Sequence, residues 1–448
     1  MRASLITVMF TIALGTSALA HASEQGFVLL LPTDIYITAG VSCVALTVIL
    51  LIFLPSGAVK ALFAPQPFLR PLRIVQPYVT SCLAAVFLGV LIWIGLTGPH
   101  DPLRNPLPVM FWTVWWIALV GLQGLIGNHW RWSNPWTGPA MVLGWLSGRR
   151  APLRYPRALG YAPGILSFLA FAGFLMADIA PSDPPRLAMV LAIYWSFTMF
   201  GVILLGPRWL IRAEGITILM RAYGRLSLFG RGHAGLNGWQ VLARPRVPVG
   251  LGIFILVMLG SGSFDGLNET FWWFGLLGLN PLEFPGRSAV VTQNLIGLTL
   301  ANLALIVSFT ACIWLGARII GEKLRAAFCL FAPTILPIAL GYHLAHYLSS
   351  ALVGGQYVVK LVRQYLGLGD FHVTTGFFNV AHTVKLIWLT QAGLVVAGHV
   401  IAILLAHALA LRAYGSTKRA LLSQAPLALF MVLYTFFGLW LLASPRGI

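Results

Sequence analysis

Charge is scarce in this chain of 448 residues, and negative charge scarcest of all, with 29 Lys and Arg against 11 Asp and Glu. At 9% charged residues, against roughly a quarter in soluble domains, the chain cannot clothe itself for water. Cysteine is down to four, Cys43, Cys82, Cys312 and Cys329, each inside or at the edge of an apolar run. That excludes a disulfide scaffold and leaves the thiols as small packing groups. The chain also has no phosphate-binding P-loop, no G-x-S-x-G elbow, no H-E-x-x-H and no C-x-x-C-H. ATPase, serine hydrolase, zincin and c-type haem readings therefore lose their support. No fixed-period repeat or low-complexity tract stands out, and none of the internal symmetry that many transporters carry.

What the chain has instead is apolar length. It is 58% hydrophobic with mean hydropathy +0.86, and its apolar runs reach the eighteen or so residues that a helix needs to cross a hydrocarbon core about 30 Å thick. The runs are continuous and rich in Leu, Ile, Val and Phe, where a membrane β-barrel would alternate with period two. The expected fold class is therefore an all-α integral membrane protein, a polytopic bundle of about ten transmembrane helices whose first partner is the lipid bilayer. Residues 1–22 read as a cleaved signal peptide: Arg2, an apolar stretch from Leu5 to Leu14, then the overlapping small-residue patterns Ala18-Leu19-Ala20 and Ala20-His21-Ala22. An uncleaved first helix is the competing reading. Residues 23–448 form a single transmembrane domain.

Ten spans are expected at 35–54, 79–96, 109–126, 163–180, 187–205, 249–263, 289–315, 328–352, 383–405 and 426–443. With the mature N-terminus outside the cytoplasm, twenty-one of the 29 basic residues fall in cytoplasmic segments and seven on the other side, a strong positive-inside bias. The expectation is the bacterial inner membrane with both ends of the mature chain in the periplasm. Nine of the eleven acids lie towards the outer side, which the topology rule does not require and which points to an outward-facing site. The stretch 206–248, with seven arginines among apolar residues at helical spacing, reads as an amphipathic helix on anionic lipid. A nucleic-acid role for these arginines is not expected.

Ionisable groups inside a span cost roughly 2.5–3.5 kcal/mol on insertion scales and need a reason to be there. In the eighth span, His343 and His346 stand three residues apart on one helix face, flanked by Tyr342 and Tyr347. The sixth ends in a glycine-rich stretch carrying Asp265 and Glu269; they share a face if the helix continues and sit on a loop if it breaks. The ninth brings His382 at its outer end and His399 and His407 deeper. One hypothesis joins His343, His346 and His399 as ligands of a divalent metal, zinc first, with Asp265 and Glu269 orienting or deprotonating a metal-bound water. Simple packing hydrogen bonds, a proton or substrate relay, and a bis-histidine b-type haem between the eighth and ninth spans are the alternatives. Glu214 is most simply paired with a neighbouring arginine. The tryptophans of Trp130 to Trp136 read as an interfacial belt, with Asp178 as a cap near the end of the fourth span and Asp370 beside His372 as an additional pair.

The order of several short motifs resembles a family. These are Asn134-Pro135-Trp136, Tyr155-Pro156, Leu159-Gly160, Ala213-Glu214, Phe264-Asp265-Gly266 with Thr270 and Trp272, Pro337-Ile338-Ala339, the run from Tyr342 to Tyr347, Gly398-His399-Val400, Ala406-His407 and the stretch from Gly438 to Leu442. From about residue 130 to the C-terminus the chain resembles the fenitrothion hydrolase-like bacterial membrane proteins. The resemblance implies an inner-membrane hydrolase of organophosphate P–O–aryl triesters, acting with or without a second protein subunit. The family's name reflects activity on a synthetic pesticide, which is not taken as the natural substrate. It assigns no residue roles here, so Asp265, Glu269 and the histidines rest on their own chemistry. The expected function is a membrane-embedded, metal-dependent hydrolase of phosphotriester-like bonds with a periplasm-facing site. The alternatives are a transporter or channel for a cation or small metabolite, or a structural subunit of an envelope complex.

Overall fold

The computed structural model describes residues 27–68, 76–148, 151–230, 232–283 and 286–446; the signal-peptide reading of residues 1–22 lies outside them. Among the described residues the architecture is helical, with nine helices long and apolar enough to cross a membrane. These are α1 (Thr33–Phe53), α2 (Pro77–Thr97), α3 (Pro106–Leu125), α5 (Pro184–Leu205), α7 (Val249–Leu267), α8 (Val291–Ile320), α9 (Leu324–His346), α11 (Ala381–Tyr414) and α12 (Thr417–Ala443). Between them, in chain order, come α4 (Ala162–Ala177), apolar but 16 residues long, the short α6 (Gly215–Tyr223) and the amphipathic α10 (Leu348–Tyr365). All ten expected spans fall on helices, with α4 the shortest. The eighth was set too long: the helix stops at His346, and residues 348–352 open α10. The only strands among the described residues are two-residue segments, β1 (Gln66–Pro67), β2 (Phe229–Gly230) and β3 (His233–Ala234), paired antiparallel in the order β1-β3-β2.

Local chemistry sets the helix ends. Asn105 and Asp183 each accept a hydrogen bond from a first-turn amide, Leu107 N and Arg186 N, ahead of a proline whose missing N–H costs nothing at that position. At the other ends of α8 and α11, Gly321 and Gly415 take φ of 71° and 66°, the left-handed turn that a side chain would strain. Two spans depart from regular α geometry. Residues Val109–Leu119 of α3 wind as a π-helix, a form that is rare and often marks functional sites. In α9 the turn Ala332–Ile335 tightens to 3-10 geometry where Pro333 and Pro337 remove ladder donors.

α7 and α9 form the centre, with 72% and 78% of their most apolar eighteen residues buried, against 17% for α1 and α2. α9 packs closely on α11: a Cβ on Gly341 would stand 2.6 Å from the Leu394 carbonyl oxygen, and one on Gly398 2.7 Å from that of Pro337. Small residues at a crossing let backbones approach, as membrane helix pairs require. At one end of the bundle, Phe271 N donates to Pro445 O, the Trp388 indole to Leu442 O and Arg287 to Leu175 O. At the other, Val247 N donates to Cys329 O, Arg412 to Leu242 O and Arg419 to Ile320 O. The second end carries the arginine-rich loops.

The structure corrects the surface reading of 206–248. Within this stretch α6 is enclosed, with Ile216, Ile218, Leu219, Met220, Ala222 and Tyr223 all buried and Arg221 alone exposed. Among the described residues Glu214 is not paired with an arginine. Its carboxylate caps α6, accepting from Ile216 N at 2.7 Å and Thr217 N at 2.6 Å, and receives the Tyr194 hydroxyl. The tryptophan belt is corrected as well: Trp130 and Trp136 are buried and only Trp132 is exposed. Trp130 Nε1 and Asn134 Nδ2 both donate to Thr217 Oγ1 at 3.2 Å, so this motif anchors the start of α6 inside the bundle. Asp178 is the carboxylate partner of Arg186, at 2.8 Å, in addition to accepting from Ala180 N.

Candidate functional site

The helix α7 runs on through its glycines to Leu267, which puts Asp265 in its last turn and Glu269 just beyond it. α9 ends at His346, and Tyr347 follows at the break before α10. The two helix ends meet at the acid-rich end of the bundle. Tyr347 donates its hydroxyl to Asp265 Oδ2 at 2.5 Å, and His346 Nε2 lies 3.1 Å from the same oxygen. Asp265 is 8% exposed and the His346 side chain 7%, so this polar contact is made away from bulk water, where an unpaired carboxylate would be costly.

The neighbouring groups complete a small chamber. Tyr342 stacks on His346 with ring centroids 5.8 Å apart and planes 10° off parallel, and its hydroxyl rests directly on Gly266, where any Cβ would collide with it. His343 turns away from the carboxylate, its ring edge-on to Trp116 at 5.2 Å and 6.4 Å from Tyr223. Three buried polar atoms here have no hydrogen-bond partner among the described residues: the Tyr342 hydroxyl, His343 Nε2 and His346 Nδ1. Buried groups of this kind normally find a partner, water included. They border a cavity of about 40 Å³, lined also by Asp265, Tyr347, Ser261 and an aromatic wall that includes Trp116, Phe168 and Phe171. At roughly 10–15 Å³ per site, that is room for a few waters or one small ion.

Other expected site residues lie elsewhere. Glu269 faces Arg446, its Oε2 3.8 Å from Nη1. His399 is fully enclosed in α11, with Nδ1 2.8 Å from the Val395 carbonyl oxygen and its ring 6.4 Å from that of Tyr434. His407 Nδ1 meets Gln424 Nε2 at 2.6 Å, and His382 is exposed at the start of α11. Lys360 stands 4.0 Å from Asp370. Of the expected site residues, the ligand candidate His346 and the catalytic candidate Asp265 come together, and His343 stands one turn away with a different outlook. Among the described residues no group of three or more His, Cys, Asp or Glu is placed to share one metal ion, whereas a catalytic zinc takes three protein ligands.

Trp116, Tyr223 and α6 are the parts of the site that sequence reasoning missed. Leu219 and Tyr223 of α6 line the small chamber, while Ile218, Arg221 and Ala222 line a larger cavity at the arginine-rich end. Trp116 of α3 borders the chamber, and Leu119 and Leu122, one and two turns further, border the larger cavity. One short helix and the π-wound part of α3 thus line both spaces. No family model, curated protein or solved structure matches the chain.

Proposed function

We propose that this protein is a membrane carrier for a proton or small cation, with Asp265 and His346 as the groups that take up and release it. The positive-inside rule places the arginine-rich end in the cytoplasm, so the Asp265–His346 pair faces the periplasmic side of the inner membrane. The observation that carries the reading is a buried carboxylate held by an imidazole and a phenol beside a chamber of about 40 Å³. Ionisable groups retained inside a spanning bundle mark ion pathways and proton relays. Size argues in the same direction: pockets for small organic ligands run to about 300–1,000 Å³, so this chamber suits an ion far better than an aryl phosphotriester. Irregular spans around a central site are also a transporter feature, and α9 tightens to 3-10 geometry within the core.

A second reading, the phosphotriester hydrolase implied by the family resemblance, is favoured by one observation: Asp265 and His346 meet beside space for water, the arrangement of a general base and its partner. It requires the chamber to open for substrate.

Infrared titration of the reconstituted protein separates the pair from its surroundings. The carrier reading expects a carboxyl signal that titrates with the external pH and is lost in Asp265→Asn but kept in Glu269→Gln. A titrating signal unaffected by Asp265→Asn would refute it. Turnover of an aryl phosphotriester by wild type, abolished in Asp265→Asn, would move the assignment to hydrolysis.

A further inference from the structure

The larger cavity, at the arginine-rich end, has a volume of about 1490 Å³. Arg131, Arg221, Arg225 and Arg244 line it together with His129 and His233, and no Asp or Glu does among the described residues. The arginines come from three stretches of chain, with Arg221 and Arg225 four residues apart on one of them. Arg225 Nη2 reaches the Arg244 carbonyl at 3.4 Å, and Arg221 is near enough to Arg244 for their charges to repel. Like charges gathered without a carboxylate repel one another, and the repulsion grows as the local dielectric falls. Topology alone asks for basic residues at this end, yet scattered surface arginines would satisfy it.

The rest of the lining is apolar. Leu119 and Leu122 of α3, with Ile126 just past its end, form an apolar wall of the cavity, and Leu251 of α7 adds to the same wall. Guanidinium forks match phosphate oxygens in geometry as well as charge, and an apolar wall reached from the membrane surface suits a hydrocarbon tail. We infer that this cavity binds a phosphate group, presented on an apolar tail as in an anionic lipid, with Arg221 and Arg244 as its principal ligands and Arg131 as a further one. This assignment does not rest on the carrier reading, since the chamber at Asp265 and this cavity lie on different sides of α6.

The test uses the full-length protein in nanodiscs. Phosphatidic acid retention is measured by native mass spectrometry against a phosphatidylcholine background for wild type, Arg221→Gln, Arg244→Gln and Arg131→Gln, with Arg104→Gln at the other end as control. Inorganic phosphate is titrated in parallel as a competitor. Wild type and Arg104→Gln should retain phosphatidic acid at least about tenfold more tightly than Arg221→Gln or Arg244→Gln, as expected when charge-assisted bonds to phosphate are lost. Competition by inorganic phosphate would identify the head group as sufficient; retention without competition would identify a ligand that needs its tail. Either result supports the phosphate site. Equal retention by wild type and all three cavity variants, each with a normal melting profile, would overturn it and leave the arginines as topological charge alone.

Discussion

Among the described residues a buried acid is either held by several donors or set beside a small cavity. Glu214 is the first kind: two amides and a tyrosine hydroxyl converge on its carboxylate at the start of α6. Burial is the largest influence on it and raises its pKa above the usual carboxyl value, although the hydrogen bonds pull the other way. The sign of the linkage follows. A carboxyl whose folded pKa is raised binds its proton more tightly in the native state, so its stabilising contribution is complete below the unfolded value near 4.5 and is lost as pH rises through the folded value. Melting curves of wild type and Glu214→Gln between pH 4 and pH 8 should therefore show the wild-type advantage shrinking as pH rises; an advantage that grows with pH would contradict this. Asp265 is the second kind, with one tyrosine, one histidine and a chamber beside it. Which of the two kinds each acid would become was not legible in the sequence. Both follow from neighbours far away in the chain, 82 residues for Tyr347 and 20 for Tyr194.

At the scale of elements, hydropathy located the spanning helices because a spanning run must be both long and apolar, and length leaves few alternatives. The same logic failed for α6. Nine residues cannot span, and arginines on both sides of an amphipathic pattern look like an interfacial helix, but its enclosure depends on Asn134, Trp130 and Tyr194 gripping its first turn. The end of the eighth span was missed for a related reason: Tyr347 to Leu352 is as apolar as a helix tail, and only the turn at Tyr347 towards Asp265 ends it. The close approach of α9 and α11 gives an element-level prediction. Gly341→Val places a branched side chain against the Leu394 carbonyl, so the helices must part. Overpacking of this kind costs about 1–3 kcal/mol. The expected result is a clearly lowered melting temperature in detergent, whereas Gly355→Val, with open space around its Cβ, should melt as wild type does; equal melting of both variants would show that the α9–α11 contact is loose.

For the whole molecule, the arrangement that matters is two spaces on either side of α6, a small one lined by Asp265 and His346 and a wide one lined by arginines. The sequence showed both ingredients, acids gathered at one end and arginines at the other, because charge is rare enough in this chain for its placement to stand out. It could not show that one nine-residue helix divides them. Alternating access across such a partition would need α6 or α9 to shift. The measurement that bears most directly on the carrier assignment is proton flux into proteoliposomes holding a pH-sensitive dye, driven by an imposed membrane potential. Wild type and Glu269→Gln should acidify the lumen well above protein-free vesicles, and Asp265→Asn should fall to the protein-free rate. Wild-type flux no faster than in empty vesicles, or full flux in Asp265→Asn, would contradict the assignment of Asp265 and His346 as the proton-carrying pair.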